Sequence, residues 1–441
     1  KELGILSLEE LQRRRQSGEL SGSEYVWREG MTQWERLDAI LQAGPPPPPI
    51  PTTTRAKKTN KPLLIVLRCV PCMACRGIDA SILSSKELQP VLDSFVCVRV
   101  INANNLDLSR FQFDYDLSFS TMLFNADGTL YGRYGSWHHQ RDALDSTTSG
   151  YTAALNAALA LHKDYPGNKD ALAGKQGGPA PFAVPIEIPA LAGKYGRDLN
   201  WDGKVVQSCV HCHQIGDAFR AWHRNQGKPV PPDLIYPMPM PETVGLTLDS
   251  EFAARVSEVD KGSLAEAAGL KAGDDLVSVN GQSLISIADF AWVLHRTPET
   301  GALQITVNRA GAAQKVTLNL PKGWRQKSDI SKRVGTWPMR AMAFGGMSLT
   351  DLTDEERAKR GLKTTGMALL VKHVGQYGPH AVAKKAGVLK DDLIIAADGM
   401  NQRISEGELI GHLLTNRMQK EILKITVVRG EKTLEFAVPM Q

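Results

Sequence analysis

The sequence predicts a multidomain chain of mixed α+β and α/β architecture, and three observations carry that expectation. Its 441 residues exceed what one core ordinarily serves, at roughly 150 residues per domain. A strand–helix–strand pattern opens at the apolar run Leu63–Leu67, and a long segment of the C-terminal half occurs twice. Five of the six cysteines fall in two tight clusters, one directly after that apolar run and one after a Gly/Pro-rich stretch. Chemistry is therefore expected at those clusters.

Apolar residues make up 42% and charged residues 22%, which is ordinary globular material. A net charge of +5 is too small a surplus to point to nucleic acid as a partner. No apolar run reaches the roughly 18 residues that would cross a bilayer. The chain starts at Lys1 with no charged-then-apolar leader, as a processed or truncated product would, so a membrane tether through a preceding segment is compatible with it.

Residues 1–43 form a small aromatic and charged unit: Leu8-Glu9-Glu10-Leu11 starts a helical pattern, and Tyr25-Val26-Trp27-Arg28-Glu29-Gly30-Met31 with Trp34 reads as strand then turn. Gly44 and five prolines, Pro45 to Pro49, begin a linker over 44–60 that continues through Thr52-Thr53-Thr54-Arg55-Ala56-Lys57-Lys58. The first unit resembles the bacterial GYF-like domain without its amino-terminal strand. That resemblance implies binding of proline-rich peptides, and the adjacent tract offers a self-ligand. The plain alternative is a packing module with core tryptophans.

Residues 61–166 read as strand (Leu63–Leu67), helix (Ser84–Leu92), strand (Phe95–Val100), hairpin (Met122–Tyr131) and terminal helix (Ala153–His162). Asp127-Gly128 supplies the hairpin turn, and Pro166-Gly167 stops the last helix. Immediately after the first strand comes Cys69-Val70-Pro71-Cys72-Met73-Ala74-Cys75-Arg76. A dithiol at a strand-to-helix junction sits at the positive end of the helix dipole, which lowers the first thiol's pKa. The unit resembles thioredoxin-like domains, which implies Cys72 as attacking and Cys75 as resolving thiol. Two departures stand out: the family's buried acid falls on Val66, and its cis-proline on Ser120. Cys69 and Cys97 add thiols, so a structural disulfide or a metal site stays open. Trp137-His138-His139 lies near the same face and reads as an exposed loop pair.

Residues 167–194, rich in Gly, Pro and Ala, read as a second linker. The segment 195–241 carries Cys209-Val210-His211-Cys212-His213. At helical spacing two thiols three residues apart share one face, where each can add to a haem vinyl group, and His213 then reaches the iron. With Gln214-Ile215-Gly216-Asp217-Ala218 behind it, the motif resembles c-type cytochromes and implies covalent haem c on Cys209, Cys212 and His213. Distal candidates are Met238, Met240 and His223. Zinc held with His211, His213 or His223, or a plain disulfide, are the alternatives.

Two copies of one pattern complete the chain, over 242–322 and 335–441. Ser263-Leu264-Ala265-Glu266-Ala267-Ala268-Gly269-Leu270 is echoed by His380-Ala381-Val382-Ala383-Lys384-Lys385-Ala386-Gly387-Val388, each followed by a strand, a turn (Asn280-Gly281; Asp398-Gly399), a helix and two strands. Both resemble PDZ domains, which implies two partly open β-barrels and capture of protein or peptide C-termini by strand addition. The carboxylate loops would be Val244-Gly245-Leu246-Thr247 and Phe344-Gly345-Gly346-Met347-Ser348, faced by helices near Ile287–Leu294 and Ser405–Leu414. No G-x-S-x-G, P-loop, Rossmann fingerprint or H-E-x-x-H is present.

Together these readings point to an exported, periplasmic c-type haem protein. It would move electrons to a redox partner, with or without the Cys72/Cys75 dithiol, while the repeats dock that partner. The rival reading is a scaffold or sensor in which the haem or a metal is structural.

Overall fold

The structure is a computed structural model that describes residues 53–68, 82–117, 119–135 and 147–441, with positions 10, 11, 13, 14, 17, 19, 20, 25, 26 and 35–37 before them. The strands β1 (Tyr25–Val26) and β2 (Glu35–Arg36) pair antiparallel in the first unit. The polar run expected as linker forms a helix, α1 (Thr53–Thr59), because Ala56 is fully buried beneath the next sheet.

That sheet contains β3 (Leu63–Arg68), β4 (Val96–Val100), β5 (Phe119–Phe124) and β6 (Leu130–Tyr134) in the order β4-β3-β5-β6. β3 runs parallel to β4 and antiparallel to β5, so it is flanked on both sides. Its apolar run is continuous because both faces are covered. Leu64 and Val66 pack under α2 (Thr148–Lys163), and Leu63, Ile65 and Leu67 pack on the other side with Phe111 and Phe113. Gly128 closes the β5–β6 turn at φ +96°, a conformation glycine adopts freely.

The stretch 167–194 is not a free linker. Lys175 and Ile188 are buried and Val184 and Leu191 nearly so, the apolar ones against Leu108 and the next helix. The following segment is also more regular than its prolines suggested. Ile215, Ala218 and Phe219 recur at helical spacing on α3 (Cys212–Asn225), and Gly227 at φ +66° follows its end. A short helix, α4 (Pro232–Ile235), leads out of it.

The first repeat has β7 (Leu246–Asp249), β8 (Arg255–Val259), β9 (Asp275–Val279), β10 (Gln282–Ser283), α5 (Ile287–Arg296), β11 (Gly301–Arg309) and β12 (Ala312–Leu320). Its strand order is β12-β11-β9-β8-β7, with β10 pairing β9. After α6 (Thr336–Phe344), the second repeat has β13 (Met347–Asp351), β14 (Leu369–Val374), β15 (Leu393–Ala397), α7 (Glu406–Asn416), β16 (Ile422–Arg429) and β17 (Lys432–Pro439), in the order β13-β14-β15-β16-β17. Both sheets end in unpaired outer strands, so they are open sheets and not the barrels expected.

Candidate functional site

The dithiol expected at Cys72 and Cys75, with Cys69 and the Trp137-His138-His139 group, lies outside the described residues. Its flanks are described: Val66 is buried on β3, and Ser120 is buried opposite Leu67. Cys97 on β4 is exposed; its thiol is pushed up by partial burial and the Asp93 carboxylate.

Of the C-x-x-C-H residues only Cys212 and His213 are on α3; Cys209 precedes it with extended backbone (φ −100°, ψ 129°), so the two thiols do not share one helical face as expected. Cys209 is 1% exposed, and its Sγ lies 3.4 Å from the Val210 carbonyl oxygen. His213 lies on the first turn, with Nδ1 3.7 Å from Asp217. The expected distal groups are elsewhere. His223 is ten residues along the same helix, about 15 Å at 1.5 Å per residue. His223 and Met238 line a cavity that Cys209, Cys212 and His213 do not reach, and Met240 packs beside Ala288 and Ala291 of α5. The distal candidates therefore do not converge on Cys209, Cys212 and His213. Among the described residues no cluster of three His, Cys, Asp or Glu side chains could hold a metal ion.

The repeat loops are better formed. In the first, Gly245 adopts φ +82° and ends the helical turn Pro241–Val244; a Cβ there would run into the Ser263 side chain. A cavity of about 380 Å³ opens beside this loop, with Val244, Leu264 and Trp324 as apolar walls, Lys322 and Lys327 as cations and Glu242 and Asp260 as acids. Lys327 Nζ also reaches Glu408 at 2.6 Å.

The helix expected to face a peptide instead faces the β3–β6 domain. Asp289 of α5 accepts the Arg133 amide at 3.0 Å and the Lys175 ammonium at 2.7 Å. The Trp292 indole donates to the Gly174 carbonyl at 3.0 Å, and the Arg133 guanidinium stacks 3.9 Å over the Trp292 ring. Burial pulls the Lys175 pKa down, opposed by Asp289.

The second repeat carries the matching loop, but its groove is filled. Glu406, at the start of α7, accepts the Leu349 amide of outer strand β13 at 2.6 Å and binds Arg340 of α6 at 2.6 and 2.8 Å. Tyr236 donates to the Gly407 carbonyl at 2.8 Å and abuts Gly411. The signal for this closure was present in sequence as a charged residue at the first position of α7, yet nothing local showed what it would meet.

His295 on α5 was not anticipated. Burial, with the guanidinium groups of Arg325, Arg296, Arg133 and Arg333, pushes its imidazole down to about 3 from 6.5. The unfolded chain therefore binds a proton here that the folded chain refuses. This contribution to stability is full above pH 6.5 and declines as pH falls from there towards 3. Urea midpoints measured across that window should fall with acidification, and His295→Phe should flatten that part of the curve.

The sequence model for the PDZ domain matches residues 255–309, inside the first repeat. The chain carries a PDZ domain. Models for a thioredoxin-like domain and for GYF domain 2 match residues 52–126 and 1–42.

A probable periplasmic serine endoprotease DegP-like of Pseudomonas savastanoi pv. phaseolicola is 30% identical over 185 residues, 41% of this chain and 33% of that protein. The periplasmic pH-dependent serine endoprotease DegQ of Escherichia coli is 28% identical over 188 residues, 42% of this chain and 36% of that protein. The chain thus spans about a third of the length of these relatives. A solved structure, an HtrA-type protease AlgW with decapeptide, matches at TM-score 0.20 and 17% identity, covering 31% of this chain and 48% of that one. That score is low, and the sheet orders above establish the fold.

These relatives overturn the expected function. They are named as serine endoproteases, not haem proteins, so the c-type haem electron carrier is withdrawn, together with the haem-bearing scaffold.

Proposed function

We propose that this chain is an extracytoplasmic polypeptide-recognition protein that captures the free C-terminus of a partner chain beside the Val244–Thr247 loop. The observation that carries this reading is the cavity of about 380 Å³ at that loop, apolar along Val244, Leu264 and Trp324, with Lys322 and Lys327 as the cations a carboxylate would meet and Glu242 and Asp260 as the acids that also line it. An apolar terminal side chain with its carboxylate fits that combination of wall and charge. The relatives support the substrate class and the compartment: they are named as periplasmic endoproteases, and an endoprotease handles polypeptides. The second repeat belongs to the same PDZ class on this reading, because its glycine loop, outer strand and facing helix recur in the same order.

Fluorescence anisotropy with a labelled decapeptide ending in leucine tests it. The free acid should bind at least tenfold more tightly than the C-terminal amide, and the Lys322→Glu/Lys327→Glu double variant should erase that difference. Equal binding of acid and amide by the unaltered protein would sink the reading.

A further inference from the structure

A second cavity, of about 330 Å³, lies where three parts of the chain meet, away from the glycine loop. Phe113 and Tyr115 wall it from the loop before β5, Phe219 and Trp222 from α3, and Trp292 and His295 from α5. Phe113 and Tyr115 hold each other edge to face at 5.0 Å, and Trp222 is braced by Phe182 at 5.1 Å, so the walls are fixed rings. Charge is kept to the mouth, where Asp233 and Arg296 are exposed.

One polar group inside has its chemistry set by the backbone. The Met238 N–H donates to His295 Nδ1 at 3.4 Å, so Nδ1 carries no proton and the ring's N–H is on Nε2. The imidazole is neutral at ordinary pH, as derived above. His295 therefore offers one uncharged donor in an aromatic enclosure. Cavities of this size, at a junction between units, lined by rings and holding few polar groups, are where small ligands ordinarily bind.

We propose that this cavity is a binding site for a planar, uncharged aromatic compound of about two fused rings, whose carbonyl oxygen accepts a hydrogen bond from His295 Nε2. Contact with Trp222 and the other aromatic walls supplies most of the affinity, and the acceptor sets orientation and selectivity. Asp233 and Arg296 are exposed at the mouth and burial holds the His223 imidazole below its ordinary pKa, so a charged ligand pressed against the inner aromatic walls would lose its hydration without a partner there.

Equilibrium dialysis of the full chain against coumarin, which has two fused rings and a ring carbonyl, tests the site, with naphthalene as the carbonyl-free shape control. Coumarin should bind saturably at one per chain, about tenfold more tightly than naphthalene, the difference of roughly one good buried hydrogen bond. His295→Phe should remove coumarin's advantage and leave naphthalene unchanged. Trp222→Ala should weaken both at least tenfold, with a thermal melt to show that the variant is folded. Absence of saturable coumarin binding, or an advantage that survives His295→Phe, would overturn the proposal.

Discussion

Replacing Asp289 by alanine should destabilise the protein by about 3–5 kcal/mol, the largest single-residue effect expected here. Its carboxylate is 2% exposed as a residue and meets the Lys175 ammonium at 2.7 Å, the Arg133 amide at 3.0 Å and the Ile285 amide at 3.2 Å. Lys175 is 1% exposed, so the variant leaves a buried cation and two amide donors unanswered. Because Asp289 stands on α5 while Arg133 and Lys175 belong to the neighbouring domain and the stretch after it, the loss also loosens the contact between them. Urea denaturation should show a lower midpoint, with a first transition separating from the main one. Asp289→Ala combined with Lys175→Met should recover at least half the loss, since the stranded charge goes with its partner. If the single variant melts within about 1 kcal/mol of the parent, the latch is not a stabilising one.

Glu406→Ala should be second, at about 3 kcal/mol. The side chain is 3% exposed and answers both the Arg340 guanidinium and the Leu349 amide. Beyond the stability loss, the substitution frees an outer-strand N–H that the native chain keeps occupied. Amide hydrogen exchange at Leu349 should accelerate by at least a hundredfold more than at core amides such as Ile425. Glu406→Gln keeps the acceptor but not the charge, and should hold Leu349 protected while still weakening the Arg340 contact. Unchanged exchange at Leu349 in the alanine variant would show that the groove is closed by something other than this carboxylate.

Much of the fold was legible from local pattern. The continuous apolar run Leu63–Leu67 announced a strand covered on both faces, and Asp127-Gly128 announced a turn with positive φ. The duplication announced two related sheets, expected as partly open barrels and found as open sheets. Where the pattern was broken by glycine and proline the reading failed. Ile188 and Leu191 looked like linker residues because their burial depends on Leu108, about eighty positions away. The C-x-x-C-H spacing suggested a cofactor, but spacing along one helix does not say what stands across from it. His223 and Met238 turned out to share a different cavity.

By itself, then, the order of amino acids determined the buried strand Leu63–Leu67, the repeated strands and helices of the C-terminal half, and which glycines must sit in the tight loops before β7 and β13. Those properties arise between residues a few positions apart, through backbone geometry and periodic burial. Tertiary structure alone decided which charges are buried and which grooves are open. Asp289 finds Lys175 across 114 positions, Glu406 finds Leu349 across 57, and His295 finds the Met238 amide across 57. A carboxylate or imidazole has no fixed role until folding sets its distance to a partner and removes the water between them.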